Sequence, residues 1–144
     1  MWKTRAEDRH VTRVVFRWIL AAFFIAAGTN HFRVPGAYIA MIPPWLPWPA
    51  GLNLIAGVCE LMGGIGVLLP PMRLAAGWGL IALLVAVFPA NLHVALIGHM
   101  PGFSFSQATL WLRLPLQAVL IAWVAWVAIA DERGLPPAPP AGRR

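Results

Sequence analysis

"LAAGWGLIALLVAVFPANLHVALIG", residues 74–98, runs for 25 residues without one charged side chain. A helix crossing the hydrocarbon core of a bilayer needs about 20 mostly apolar residues, so this stretch is long enough to span. Three more stretches share the property, at about 14–32, 51–69 and 109–130. The chain has 144 residues, of which 60% are hydrophobic and 11% charged, with a mean hydropathy of +0.72. A water-soluble domain of this size has no interior large enough for so much apolar surface. The expected fold is therefore all-α: a polytopic membrane protein folded as a four-transmembrane-helix bundle.

The formal net charge of +6 raises nucleic acid as a partner, but the positions of the charges argue against it. Lys3, Arg5, Arg9, Arg13 and Arg17 lead into the first span, Arg73 lies between the second and third, and Arg133, Arg143 and Arg144 follow the fourth. The other two connections carry Arg33 alone. Cytoplasmic loops hold the excess of lysine and arginine, so both termini are expected in the cytoplasm, with anionic lipid as the partner of the basic ends. Tryptophan placement agrees: Trp45, Trp48 and Trp111 fall at the outer boundary, and Trp2, Trp18, Trp78 and Trp126 at or towards the inner one. The first span has a long basic leader and no small-residue cleavage site before "TNHF" (29–32), so it is read as retained rather than as a secretory signal. Cys59 is the sole cysteine, which excludes an intramolecular disulfide and a self-contained thiol oxidoreductase.

Short connections leave no room for a soluble domain. Residues 1–13 form a basic leader, 14–130 the transmembrane domain, and 131–144 a Pro-rich tail expected to be disordered. The connection 33–50, "RVPGAYIAMIPPWLPWPA", is unusual. Pro35-Gly36 ends the first helix, 37–42 has room for one or two turns, and Pro43, Pro44, Pro47 and Pro49 forbid a regular helix after it. Its apolar residues and two tryptophans suit a segment lying in the outer interface over the mouth of the bundle.

The few polar groups at membrane depth carry the functional signal. Glu60, in "GVCELMGGIG" (57–66), is the only carboxylate between Asp8 and Asp131. A charge at the bilayer centre costs about 2.5–3.5 kcal/mol on insertion scales and as a rule faces the bundle interior with a partner. Arg113, near the start of span four, is the expected partner, with Gln117 one turn further on the same face. In span three Pro89 removes a helical hydrogen bond and frees the Val85 carbonyl. Asn91 and His93 follow it and point about 200° apart on a regular helix, and Asn91 is expected to face inward. Asn30 and His31 close span one. All four helices thus bring polar groups to one level in the outer half, whereas "LMGGIGVLL" (61–69), "LAAGWGLIALLVA" (74–86) and "AVLIAWVAWVAIA" (118–130) hold no charge. A channel or pump needs polar steps through the full thickness. The pattern describes a pocket closed on the cytoplasmic side. Gly57, Gly63, Gly64 and Gly66 give span two narrow faces for a neighbouring helix or a flat ligand.

"GTNHF…P..Y..MIPPWLPWP", "AGVCELMGGIGVLLP", "LLVAVFPANLHVA" and "WLRLPLQ" together resemble the DoxX family of small bacterial four-helix membrane proteins, over about residues 14–130. The matching positions are Asn30, His31, Phe32, Tyr38, Pro44, Glu60, Gly63, Gly64, Pro89, Asn91, Arg113, Pro115 and Gln117. The resemblance implies a multi-pass protein of the bacterial cytoplasmic (inner) membrane. The family shares its name with the membrane subunit of a thiosulfate:quinone oxidoreductase, which makes an enzymatic role at most that of a subunit in an oxidoreductase complex.

Three function classes remain open. In the first, a redox-linked membrane component binds a quinone, with His31, Glu60, Asn91, Arg113 and Gln117 as ligand-binding residues. Glu60 is then the candidate for proton exchange, and electrons come from a soluble or membrane partner. In the second, the protein is a non-catalytic scaffold or assembly factor, homo-oligomeric or otherwise, and Glu60–Arg113 is a clamp that sets helix register. In the third it carries a small solute. Asn30, Tyr38, Gly63, Gly64 and Pro89 are assigned packing or structural polar roles. Neither a metal nor a covalently bound cofactor is assigned, although His31 and His93 lie near one level, as haem ligation would require.

Overall fold

Where leucine, alanine, valine and isoleucine fill every turn and water is absent, each backbone N–H must find its carbonyl within the same segment, and helices follow. The computed structural model describes residues 2–130, with side chains described from residue 8 onward. The chain forms α1 (Trp2–Arg33), a short α2 (Pro35–Ile39), α3 (Pro49–Gly66), a 3₁₀ turn (Pro70–Met72), α4 (Arg73–Ile97), α5 (Gln107–Val124) and a π-helical turn (Ala125–Ile129). Among the described residues four helices are long and apolar enough to cross a membrane, and no strand is present. The fold is all-α. Residues 131–144, expected to be disordered, lie outside the described residues.

Helix α1 is continuous from Trp2, so the basic leader is its first turns rather than a separate element. At the other end of the bundle, Pro35 starts α2 at its first turn, where the missing N–H costs nothing. The connection then re-enters α3 through Trp48, whose left-handed backbone (φ 55°, ψ 53°) is rare for a bulky residue. Gly51 makes this geometry fit: a Cβ there would lie 2.2 Å from the Trp48 ring. Pro89 sits inside α4 and Pro115 inside α5, and both helices continue through them. Ser106 caps α5 by accepting from the Thr109 N–H at 3.3 Å.

The helices pack in the order α1–α3–α4–α5, with α1 against α3 and α4 against α5 as the closest pairs flanking the α3–α4 contact. The α1–α3 seam is close because it is lined by small residues. A Cβ on Gly28 would lie 2.8 Å from the Gly57 carbonyl oxygen, and one on Gly57 would lie 2.7 Å from His31 Cβ. Gly64 continues this seam against Ala21 and Ile25, while Gly63 turns to Leu80 of α4. The glycines expected to present narrow faces therefore serve two different neighbours.

Two apolar clusters divide the bundle along its length. One, at the end where α1 starts and the π-helical turn finishes (the termini end of the described residues), joins Leu20 and Phe24 of α1 to Leu80 and Leu84 of α4 and to Val124, Val127 and Ile129. The other, at the end carrying the Pro-rich connection, joins Met41, Val94, Met100 and Leu110. We call the second the lid end.

At the termini end, α1 packs on the π-helical turn and makes little contact with α5 itself. A π turn leaves carbonyls poorly matched to the helical ladder. Arg17, 6% exposed, donates from Nε (3.1 Å) and Nη2 (3.0 Å) to the Val127 carbonyl. Phe16 sets its ring edge-on to Trp123 and Trp126, with centroids 5.9 and 5.5 Å away. Arg17, read from sequence as a topology signal, thus ties the first helix to the last. Arg17→Met leaves the buried Val127 carbonyl without these donors, and a loss of about 1–3 kcal/mol is expected. Unfolding of the variant in a bilayer mimetic, compared with the parent chain, measures it.

Candidate functional site

A cavity of about 670 Å³ lies between the two apolar clusters, walled by all four long helices and roofed by Tyr38, Met41, Ile42 and Leu46 of the connection. The termini-end cluster is its floor, with Phe24 and Leu84 belonging to both. The side walls are not sealed. Phe23 of α1 and Leu116 of α5 line the cavity yet are 45% and 49% exposed, on two helices that make little contact with each other. In a bilayer these exposed apolar residues face acyl chains, and we call this stretch of the wall the window.

The polar lining falls into two groups on opposite helix pairs. On α1 and α3, Asn53 and Glu60 lie seven residues apart and so share a helix face. Asn53 Nδ2 donates to the His31 carbonyl (3.1 Å) while its Oδ1 lies 2.8 Å from His31 Nδ1. The first bond orients the amide, so Oδ1 accepts and His31 Nδ1 carries a proton. His31 Nε2 then faces Glu60 Oε2 at 3.5 Å, and that oxygen is buried without a hydrogen-bond partner. The Tyr38 ring covers His31 with centroids 4.0 Å apart. Burial first, and the Glu60 carboxyl second, push the Tyr38 phenol above its ordinary value, so its hydroxyl stays protonated; Asn30 is within side-chain hydrogen-bonding reach of it.

On α4 and α5, Arg113 Nη2 donates to Asn91 Oδ1 (3.1 Å), Asn91 Nδ2 donates to Gln117 Oε1 (3.1 Å), and Gln117 Nε2 donates to the Leu84 carbonyl. Leu84 lies in the turn before Pro89, next to Val85, whose helical bond proline removes. Arg113 Nη1 points to Met100 Sδ at 3.4 Å, a weak acceptor for so strong a donor.

A model of the family described as "Domain of unknown function (DUF8561)" matches residues 20–128, which holds both polar groups, the floor and the roof. The chain belongs to the DUF8561 family. No curated protein and no solved structure matches it.

In this DUF8561 chain every residue expected to bind ligand, namely His31, Glu60, Asn91, Arg113 and Gln117, lines the one cavity, as do Asn30 and Tyr38. One expectation is corrected. Glu60 does not pair directly with Arg113 among the described residues; the group facing its Oε2 is His31 Nε2, at 3.5 Å. The reason is local: Asn53 holds the His31 ring towards α3, and Arg113, near the lid end of α5, turns its guanidinium to Asn91 and Met100. Gly63 and Pro89 lie outside the cavity wall as packing and backbone features, and so does Gly64. His93 is half-buried and is not part of the wall either, so the cavity does not bring it to His31. No group of three or more His, Cys, Asp or Glu with metal-binding geometry occurs among the described residues.

Sequence reading missed Asn53. Its signal was the seven-residue step to Glu60 in "NLIAGVCE" (53–60), which places a second polar group on the acid's face.

Proposed function

We propose that this DUF8561 protein is a membrane component of a quinone-linked redox system, resident in the bacterial inner membrane with both termini in the cytoplasm, and that its cavity takes up a lipid-soluble ring. One observation carries the reading. The polar groups line a cavity roofed by the connection, with exposed apolar residues in its side walls and a buried carboxylate oxygen that has no hydrogen-bond partner. Polar atoms buried without hydrogen bonds are costly, and a guest bearing a ring hydroxyl supplies a donor to that oxygen. The volume, about 670 Å³, falls within the range of small-molecule sites. The resemblance to the DoxX family points the same way, and on this reading electrons come from a soluble or membrane partner.

Organic extraction of the protein purified from its own membranes, followed by mass spectrometry, tests this. Quinone is expected in stoichiometric amount and above its share in the surrounding lipid. Quinone at no more than the background of bulk lipid overturns the proposal. The scaffold reading draws support from the mutual hydrogen bonds of Asn91, Arg113 and Gln117, but gives the unpaired Glu60 oxygen nothing to do.

A further inference from the structure

The geometry points to a site that is electrically polarised across its width and selects the hydroxylated, reduced form of a ring ligand (a hydroquinone) over the oxidised quinone. The inference rests on the ring-binding proposal and adds which redox state is held.

The wall formed by α4 and α5 presents donors. Asn91 Oδ1 already accepts from Arg113, and Gln117 Oε1 already accepts from Asn91. What the trio has left to offer a guest is mostly N–H: the second protons of the two amides and the free N–H groups of the guanidinium, one of which is directed only at a thioether sulfur, beside one remaining lone pair on each amide oxygen.

The wall formed by α1 and α3 presents acceptors. Asn53 commits the His31 Nδ1 proton, so in neutral imidazole Nε2 offers a lone pair, and it faces Glu60 Oε2. One proton between these two atoms serves both, and the carboxylate keeps further lone pairs that no protein donor fills: Glu60 Oε2 has no hydrogen-bond partner. The other titratable groups facing this couple are Tyr38 from the roof and Arg113 across the cavity, both within electrostatic reach of one another; α4 contributes only the neutral Asn91 to the cavity's polar lining.

A quinone brings two acceptor oxygens. The α4–α5 wall satisfies one, but the other must take the proton that His31 and Glu60 share, which leaves a lone pair buried between them. A hydroquinone brings an O–H to the α1–α3 wall and completes it, while its far hydroxyl accepts from Arg113 and gives its own proton to the remaining lone pair of the Asn91 or Gln117 amide oxygen.

Anaerobic titration of the full chain in lipid nanodiscs with a decyl-substituted benzoquinone, and separately with its two-electron-reduced quinol, tests the assignment. The quinol is expected to bind about tenfold more tightly, the size of effect given by one hydrogen bond to a charged group. E60Q, which gives Glu60 an N–H in place of an acceptor oxygen, is expected to abolish that preference. Equal affinities, or a tighter quinone, overturn the polarity and leave ring binding standing. Binding of neither compound overturns both. E60Q with the full quinol preference also overturns the polarity, and the comparison on the unaltered chain decides the question even where E60Q does not fold.

Discussion

Arg113→Met is expected to weaken binding of a ring-bearing guest by about 100-fold, the upper range for a lost charge-assisted hydrogen bond in a site shielded from water. The substitution keeps most of the side-chain volume beside Met100 and removes only the donors. Asn91 and Gln117 retain their mutual bond, because it does not pass through the guanidinium. The nanodisc titration with the quinol reads the effect, and circular dichroism checks that the helices persist. Unchanged affinity in a folded variant would mean that the α4–α5 wall does not touch the guest, and the proposed function would lose its donor side.

Gly28→Leu is expected to prevent the bundle from forming. The first added carbon already lies 2.8 Å from the Gly57 carbonyl oxygen and 3.0 Å from the Leu61 amide nitrogen. Both are backbone atoms, so no rotamer change relieves the contact and α1 must separate from α3. Overpacking where neighbours can shift costs about 1–3 kcal/mol, and this seam leaves nothing to shift, so the loss should exceed that range. The separation also withdraws His31 from Asn53 and Glu60. Gly36→Ala is the control: a Cβ there meets nothing within 4 Å, and a change within about 0.5 kcal/mol is expected. Yield of monodisperse protein after detergent extraction distinguishes the two. Equal yields would show that the seam is looser than described.

The contrast between those variants bears on what a sequence can display. Runs of apolar residues of membrane-spanning length are legible one residue at a time, because each residue's transfer preference adds to the same total. The inward bias of Glu60, Asn91, Arg113 and Gln117 is legible for a similar reason: a polar group facing acyl chains is penalised whatever its neighbours are. Pairing is different, because it depends on rotation about each helix axis and on which side chain reaches first. Glu60 meets His31 rather than Arg113 through Asn53, a residue whose part lies in a distance to another helix that the linear order does not contain. The π turn at Ala125–Ile129 is equally silent in the sequence, since its alanines, tryptophan, valine and isoleucine fit an ordinary helix as well. Arg17 looks like one more basic residue beside a span until the Val127 carbonyl is seen in front of it.

The window between α1 and α5 changes what concentration means for this protein. On the proposed function, a guest arriving between Phe23 and Leu116 comes from the lipid phase, so its occupancy is expected to follow mole fraction in the bilayer and not molarity in the buffer. Adding empty lipid to a sample, with protein and guest held constant, dilutes the guest where it counts and empties the site. For a protein built this way the membrane is the solvent of the equilibrium as well as the support of the fold.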